Sequence, residues 1–180
     1  MKEMLLVGRG GEGVVLASQL LADAFARAGF WAQSFPEFKA ERRGAPISAF
    51  LRWDEEPIHR RYRVRDCDVL VVVSPAPPTP QLLRTVRPGG LVVLNREGRL
   101  PLRGPFDVAR TPASRIARDH GVLSSEGRPM GNVALLGACA AGPAILTITI
   151  DLIVTTSLCI GLSRLDSADE HGAAEAARKV

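Results

Sequence analysis

The sequence predicts an α/β fold: a single Rossmann-like domain over residues 1–180, with a mostly parallel sheet flanked by helices. Three observations support this prediction. An apolar run near the start of the chain passes through a glycine cluster into a segment with helical spacing. Residues 68–73 and 91–94 are apolar without alternation, which is typical of strands buried on both faces of a parallel sheet. Such strands alternate with helical segments along the chain, as they do in α/β proteins.

The predicted elements follow one another through short connections. The first helix has apolar residues at helical spacing and is expected to end at Gly29. Residues 87–90, Arg-Pro-Gly-Gly, predict a turn, and a returning segment is expected near residues 57–62 after a turn at 54–56. Strands are expected at residues 4–7, 31–35, 47–53, 68–73 and 91–94, with a further element at 106–109. Helices are expected at residues 14–28, 81–86, 113–119 and 130–141.

The composition is that of a folded globular protein with a modest positive charge. Arginine supplies most of the net charge of +4, because Lys2, Lys39 and Lys179 are the only lysines. Arginine recognises phosphate and carboxylate groups through paired hydrogen bonds, so an anionic small molecule or an acidic protein partner is expected. The chain has no basic helix and no interleaving of aromatic with basic residues, which disfavours nucleic acid.

The three cysteines, Cys67, Cys139 and Cys159, are far apart and form no CxxC pair. The chain therefore has no cysteine pattern for an iron–sulfur cluster or a structural zinc site, and a reducing cytoplasm is the expected location. The N-terminal residues run directly into a strand pattern, which leaves no room for a signal peptide.

Residues 133–161 form a long apolar stretch in which Asp151 is the only charged residue. Its length would suffice to span a bilayer, but Gly142-Pro143 interrupts it and an aspartate within a membrane is costly. Two buried segments, or one core helix and one element that faces a partner, are expected instead. The partner would be another subunit or a second copy of this chain in a homodimer.

A glycine cluster after the first strand is the leading candidate site. Glycines let backbone N–H groups approach a phosphate closely, and the following helix directs its positive end to the same place. The cluster lacks the Gly-Lys-Ser/Thr of a Walker A loop, and no acidic residue lies near Gln33 to hold a ribose hydroxyl. A turn that serves only tight strand–helix packing stays open as the alternative. The cluster consists of Gly8, Arg9, Gly10, Gly11, Glu12 and Gly13.

A second motif, residues 35–46, links two predicted strands and is expected at a sheet end, where α/β proteins bind ligands. Its Lys39, Arg42 and Arg43 could contact phosphates, and Gly44 allows close backbone approach; on composition alone it is an ordinary charged loop. In this order the two motifs resemble the gamma subunits of pyruvate and related 2-oxoacid:ferredoxin oxidoreductases. The resemblance covers residues 1 to about 141. It rests on GRGGEGVV at 8–15, SFPEFKAERRGAPISAFLR at 34–52, DEEPI at 54–58 and GNVALLGA at 131–138.

The resemblance implies a complex that decarboxylates a 2-oxoacid on thiamine diphosphate, passes electrons through iron–sulfur clusters to ferredoxin, and transfers the acyl group to coenzyme A. Thiamine diphosphate and the clusters would lie on partner subunits, alpha, beta and delta, with ferredoxin an indirect partner. The gamma chain would help to bind coenzyme A and carry no catalytic residue. The glycine cluster would lie near the coenzyme, with Arg42, Arg43 and Gly44 in the same cleft and Asn95 as a further contact. Glu12 replaces the family's usual glutamine, so it is expected to face a partner chain or to cap the helix.

Two other classes of protein stay open. A free-standing oxidoreductase that binds a nicotinamide or flavin nucleotide is disfavoured, because the ribose-binding acid and a second, substrate-binding domain are missing. A purely structural assembly subunit would use the glycine cluster only for packing. The chain also lacks a Gly-Asp-Gly motif for thiamine diphosphate, and His59, His120 and His171 are scattered. Catalysis is therefore expected to come from other subunits.

Overall fold

The computed structural model describes residues 1–38, 45–60, 62–124 and 127–140. The predictions for Lys39, Arg42, Arg43 and Gly44, and those for the second half of the apolar stretch with Asp151, lie outside the described residues.

Six strands and four helices in the described residues lie near the positions that the sequence predicts, and the further element expected at 106–109 is a strand. The strands are β1 Lys2–Arg9, β2 Trp31–Phe38, β3 Pro46–Asp54, β4 Cys67–Val72, β5 Val86–Asn95 and β6 Phe106–Thr111. The helices are α1 Val14–Arg27, α2 Pro80–Leu83, α3 Ala113–Asp119 and α4 Asn132–Ala140. The predicted turn at 87–90 is wrong, because these residues belong to β5. They form an irregularity in which Cys67 pairs with Val86 but Val69 already pairs with Leu91.

The strands form one mixed sheet in the order β2-β3-β1-β4-β5-β6. β1, β4, β5 and β6 are parallel neighbours, whereas β3 runs antiparallel to both β1 and β2. The predicted fold class, an α/β protein with a mostly parallel sheet, is confirmed. Because β1, β4 and β5 all point the same way, the residues that follow them meet at one edge of the sheet, the carboxyl edge.

The sheet is buried on both faces, as its uninterrupted apolar strands predict. Successive side chains of β1 alternate between the two faces: Met4 and Leu6 join one core, and Leu5 joins the other. The first core also contains α1 and α4, and the α1 residue Phe25 stacks on Trp53 of β3 with ring centroids 4.4 Å apart. α1 ends at Arg27, and Gly29, the predicted stop, follows two residues later with a left-handed φ of 89°.

In the described residues, the second face of the sheet is covered by loops and by the single-turn helix α2. The sequence predicted helices on the sheet faces but did not indicate that one face would be covered mainly by loops. Arg52 of β3 is fully buried beneath these loops. Its guanidinium forms an ion pair with Glu3 at 2.8 Å and donates to the backbone carbonyls of Arg60 and Tyr62. Arg87 binds the second oxygen of the same Glu3 carboxylate at 2.5 Å. This network holds Arg60 and Tyr62 of the returning segment against the sheet.

The described part of the chain lacks two features that would bear on function. None of its helices is long and apolar enough to cross a membrane. Within the same residues, no group of three or more His, Cys, Asp or Glu side chains is arranged to hold a metal ion.

Candidate functional site

The glycine loop, residues 8–13, connects β1 to α1 at the carboxyl edge of the sheet. Gly11 and Gly13 have φ values of 89° and 76°, which glycine adopts without strain. At Gly8 a Cβ would lie 2.6 Å from Cγ2 of Val14 and 3.3 Å from Cβ of Val73. Glycine at position 8 therefore lets β1, α1 and the end of β4 pack closely, whereas at positions 11 and 13 it is required by the backbone conformation.

The backbone N–H groups of the loop divide into two sets. Arg9, Gly10 and Glu12 donate within the protein, to Glu12 Oε2 at 2.7 Å, Ala45 O at 3.2 Å and Arg9 O at 3.1 Å respectively. The N–H groups of Gly11 and Gly13 have no partner among the described residues. α1 begins with neither a side-chain cap nor an acidic residue in its first turn. The positive end of the helix is thus left open beside two unused donors, an arrangement that suits an anion.

Of the two roles predicted for Glu12, the cap of α1 is wrong and contact with a partner chain stays a prediction. Its carboxylate turns back into its own domain, where it accepts hydrogen bonds from the backbone N–H of Arg9 and, at 2.8 Å, from the hydroxyl of Ser74. It does not cap α1, whose N-cap is Gly13. The side chain instead fastens the loop to the end of β4. The carboxylate opposes an anion on its own side of the loop, so a phosphate would approach from the Gly11 side, where a Cβ would meet no atom of the described residues within 4 Å.

The two sequence motifs meet in the structure. Arg9 at the end of β1 pairs with Pro46 at the start of β3, and the N–H of Gly10 donates to the carbonyl of Ala45. Ala45 ends the connection that contains Arg42, Arg43 and Gly44. The glycine loop and the described end of the ERRGAP motif are therefore joined by a backbone hydrogen bond.

Asn95 lies at the carboxyl end of β5, as predicted, and is 4% exposed. Its Nδ2 donates to the carbonyl of Val73 and to the hydroxyl oxygen of Ser114, both at 2.7 Å, and its Oδ1 accepts from the N–H of Ser114 at 2.9 Å. Both amide hydrogens are used, so Asn95 ties together the ends of β4 and β5 and the start of α3. It supports the edge on which the glycine loop lies.

Asn132, the first residue of α4, was not among the predicted site residues. It is fully buried, and its Nδ2 donates to the carbonyl of Gly13 at 3.3 Å. A Cβ on Gly13 would lie 2.4 Å from the same nitrogen. Asn132 therefore braces the N-cap of α1 from 119 positions away along the chain. The sequence signal for Asn132 is its place in the GNVALLGA segment, one of the motifs shared with the family, although that motif alone does not indicate a role for it.

The two described thiols are unsuited to nucleophilic chemistry. Burial raises the pKa of Cys67 to about 11 and that of Cys139 to about 12. Both thiols are therefore protonated at neutral pH, and only the thiolate attacks or ligates well. We assign them to the core.

The fold and the glycine loop define an α/β chain whose strand–glycine loop–helix unit lies at the carboxyl edge of a mostly parallel sheet. Residues 3–156 match the pyruvate ferredoxin/flavodoxin oxidoreductase family, and the chain belongs to that family. It is 38% identical over 149 residues to the pyruvate synthase subunit PorC of Methanothermobacter thermautotrophicus, with 82% of this chain and 79% of the relative covered. It is 37% identical over 160 residues to the common gamma subunit of the pyruvate/ketoisovalerate oxidoreductases of Pyrococcus abyssi, covering 82% and 81%.

Solved structures agree with this assignment. The pyruvate oxidoreductase subunit PORC of Thermotoga maritima superimposes with a TM-score of 0.66 at 29% identity, over 81% of this chain and 79% of that one. The 2-oxoglutarate:ferredoxin oxidoreductase of Magnetococcus marinus shares the fold, with a TM-score of 0.62 at 19% identity, over 88% of this chain and 31% of that one. The chain is thus a gamma-type subunit of an oxidoreductase complex, as the sequence motifs predicted.

Proposed function

We propose that residues 1–180 form a single gamma-type domain that binds coenzyme A and supports assembly in a thiamine-dependent 2-oxoacid:ferredoxin oxidoreductase. The complex would convert a 2-oxoacid, coenzyme A and oxidised ferredoxin to acyl-CoA, CO2 and reduced ferredoxin. Alpha, beta and delta subunits would be its partners, would hold thiamine diphosphate and the iron–sulfur clusters, and would pass electrons to ferredoxin. A cytoplasmic complex accords with the free, protonated thiols of Cys67 and Cys139.

The open N-terminus of α1 beside Gly11 is the observation that carries the coenzyme A assignment. The unused N–H groups of Gly11 and Gly13 point to a ligand with acceptor oxygens, and the uncapped helix end favours a negative charge. Arg42 and Arg43, on the connection joined to the loop through Ala45, would add positive charge. The pyrophosphate of coenzyme A has this chemistry, and the structure of the Magnetococcus marinus enzyme was determined with coenzyme A and succinyl-CoA bound.

This chain would therefore bind and orient the acceptor rather than react with it. The glycine loop would hold the phosphates, and Glu12, Ser74 and Asn95 would keep the carboxyl edge rigid behind it. Bond cleavage and electron transfer would occur on the partner subunits.

A structural assembly subunit is the second candidate, and the Glu12 carboxylate is the observation that favours it. The Glu12 carboxylate accepts hydrogen bonds from the backbone N–H of Arg9 and the hydroxyl of Ser74, and its charge repels a nearby phosphate. The loop could therefore serve packing alone.

Gly11→Val in the assembled complex separates the two candidates. Position 11 has open space but a φ of 89°, so valine would strain the loop and place methyl groups where a phosphate would approach. We expect coenzyme A-dependent acyl-CoA formation to fall sharply, while CO2 release measured without coenzyme A survives. Gly29→Val is the matched control, because Gly29 has the same φ and the same open surroundings at the far end of α1. If both activities fall together in Gly11→Val and not in the control, the loop is structural.

A further inference from the structure

A cavity lined by several charged side chains lies on the same carboxyl edge as the glycine loop. It has a volume of about 190 Å³ and is bounded by the residues that follow β4 and β5 and by the first turns of α3. Its side chains include Arg96, Arg115 and Arg118, together with Glu97 and the hydroxyl of Ser114. We call this cavity the arginine pocket. No residue of the glycine loop lines it, and the proposed function does not use it.

The charge of the arginine pocket is strongly positive for its size. Glu97 forms an ion pair with Arg115 at 3.3 Å, which leaves Arg96 and Arg118 without a carboxylate partner in the described chain. The Nε of Arg96 is buried and donates to no described acceptor. A buried donor without a partner costs free energy unless a ligand or a water molecule satisfies it. The pocket therefore has two guanidinium groups available for one small anion.

Ser114 adds a neutral donor to the same space. Its backbone N–H and its hydroxyl oxygen are both bonded to the Asn95 amide, so its orientation is fixed. Because the hydroxyl oxygen already accepts from Asn95, its own proton is free to be donated, and no described residue accepts it. Two guanidinium groups and a hydroxyl match the several acceptor oxygens and near-double negative charge of a phosphate monoester, whereas a carboxylate would leave part of this charge unpaired.

The position of the pocket relates it to the glycine loop. In the sheet order, β1 and β5 are separated only by β4. The distance between their ends is therefore roughly 10 Å, since neighbouring strands lie about 4.8 Å apart. The side chains of Ser74 and Asn95 fill the edge between them and are fully engaged in internal bonds. The glycine loop and the arginine pocket thus lie on one edge of the sheet. A single nucleotide that carries phosphates at both the 5′ and the 3′ position of its ribose can reach both of them, because the arginine side chains extend toward it.

We infer that the arginine pocket binds a phosphate monoester, the ribose 3′-phosphate of the coenzyme A whose pyrophosphate lies at the glycine loop. The identity of the ligand rests on the proposed function; the anion chemistry of the pocket rests on its own residues. Arg96 and Arg118 contact the phosphate, Ser114 donates one hydrogen bond, and Arg115 remains paired with Glu97. The pocket then selects coenzyme A over dephospho-coenzyme A, which lacks this phosphate.

Calorimetric titration of the complex obtained by co-expression with the alpha and beta partners, using coenzyme A, dephospho-coenzyme A and adenosine 3′,5′-bisphosphate, tests the inference. We expect Arg96→Gln and Arg118→Gln each to weaken coenzyme A binding about tenfold, the loss typical of one charge-assisted hydrogen bond, and to leave dephospho-coenzyme A binding unchanged. Arg118 is exposed, so its variant tests the pocket even if the half-buried Arg96 is needed for folding. Arg110→Gln, an exposed arginine of neighbouring β6 that does not line the pocket, is the matched control.

Each outcome has a distinct meaning. Equal losses for coenzyme A and dephospho-coenzyme A, or no loss in Arg118→Gln, would overturn the pocket assignment while leaving coenzyme A binding at the glycine loop intact. If coenzyme A does not bind but adenosine 3′,5′-bisphosphate binds in an Arg118-dependent way, the anion pocket stands and the proposed function fails. If none of the three probes binds in an Arg118-dependent way, the pocket is not an anion site.

Discussion

Gly13→Ala tests how tightly α4 braces the start of α1. Alanine at a φ of 76° is strained by about 1–2 kcal/mol. Its Cβ would also lie 2.4 Å from Nδ2 and 2.8 Å from Cγ of the fully buried Asn132. Overpacking of this kind costs about 1–3 kcal/mol. We therefore expect Gly13→Ala to lower the free energy of unfolding by roughly 2–5 kcal/mol.

Gly29→Ala separates strain from overpacking, because Gly29 has a φ of 89° and no atom within 4 Å of its added Cβ. It should cost only the strain, about 1–2 kcal/mol. Urea unfolding of the full chain at low protein concentration, followed by the fluorescence of buried Trp53, measures both variants. Asn132→Ala should recover most of the difference when it is combined with Gly13→Ala. Equal costs for the two glycine variants, or no recovery in the double variant, would refute the proposed contact between Asn132 and the N-cap.

Four further predictions concern the core, the thiols, the arginines and assembly. Arg52→Met should lower the free energy of unfolding by about 3 kcal/mol, because the buried Glu3 carboxylate loses one of its two partners; adding Glu3→Gln should restore part of that loss in urea unfolding. Stability should fall as pH rises from about 9 to about 11, because the Cys67 thiol ionises near 9.0 when unfolded and near 11 when folded. The fall should be shallower in Cys67→Ala by about 1.4 kcal/mol per pH unit; identical pH profiles would contradict the assignment. Arg42→Ala or Arg43→Ala should lower the apparent affinity of the complex for coenzyme A about tenfold and its affinity for pantetheine much less. Equal losses for the two acceptors would indicate that these arginines lie at a subunit interface. By light scattering, the chain expressed alone should form a homodimer or aggregate that co-expression with alpha and beta partners rescues; a clean monomer at high concentration would contradict this.

The strand–loop–helix unit at the start of the chain could be predicted because its signals are local. An apolar strand, a glycine cluster and a helical periodicity follow one another within residues 4–28, and the structure reproduces them. The error at 87–90 has the opposite cause. Arg-Pro-Gly-Gly is a turn sequence by local preference, but Val86 and Leu91 on either side of it pair with β4, and Gly90 pairs with β6, so it lies inside β5 as an irregularity.

The polar residues around the site were harder to interpret because their partners are distant in sequence. Arg52 is buried since β1 places Glu3 opposite it, which no local pattern reveals. The amide of Asn95 is engaged with Val73 and Ser114, partners that lie about twenty residues away in sequence, and its role as a ligand contact stays a prediction. Asn132 belongs to the GNVALLGA motif, but the sequence alone indicates no role for it. The structure shows that its side chain donates to the carbonyl of Gly13.

The order of the strands has a consequence for synthesis on the ribosome. β1, α1, β2 and β3 are complete by residue 54, and their mutual pairing needs no later part of the chain. A nascent chain of this length can form half of the sheet around Phe25 and Trp53. The other side of β1 pairs with β4, so residues 4–7 remain an unpaired edge until residue 72 has emerged. An unpaired apolar edge strand can pair with strands of other chains. During this interval of translation the nascent chain would therefore be most open to binding by a chaperone or to aggregation with another chain.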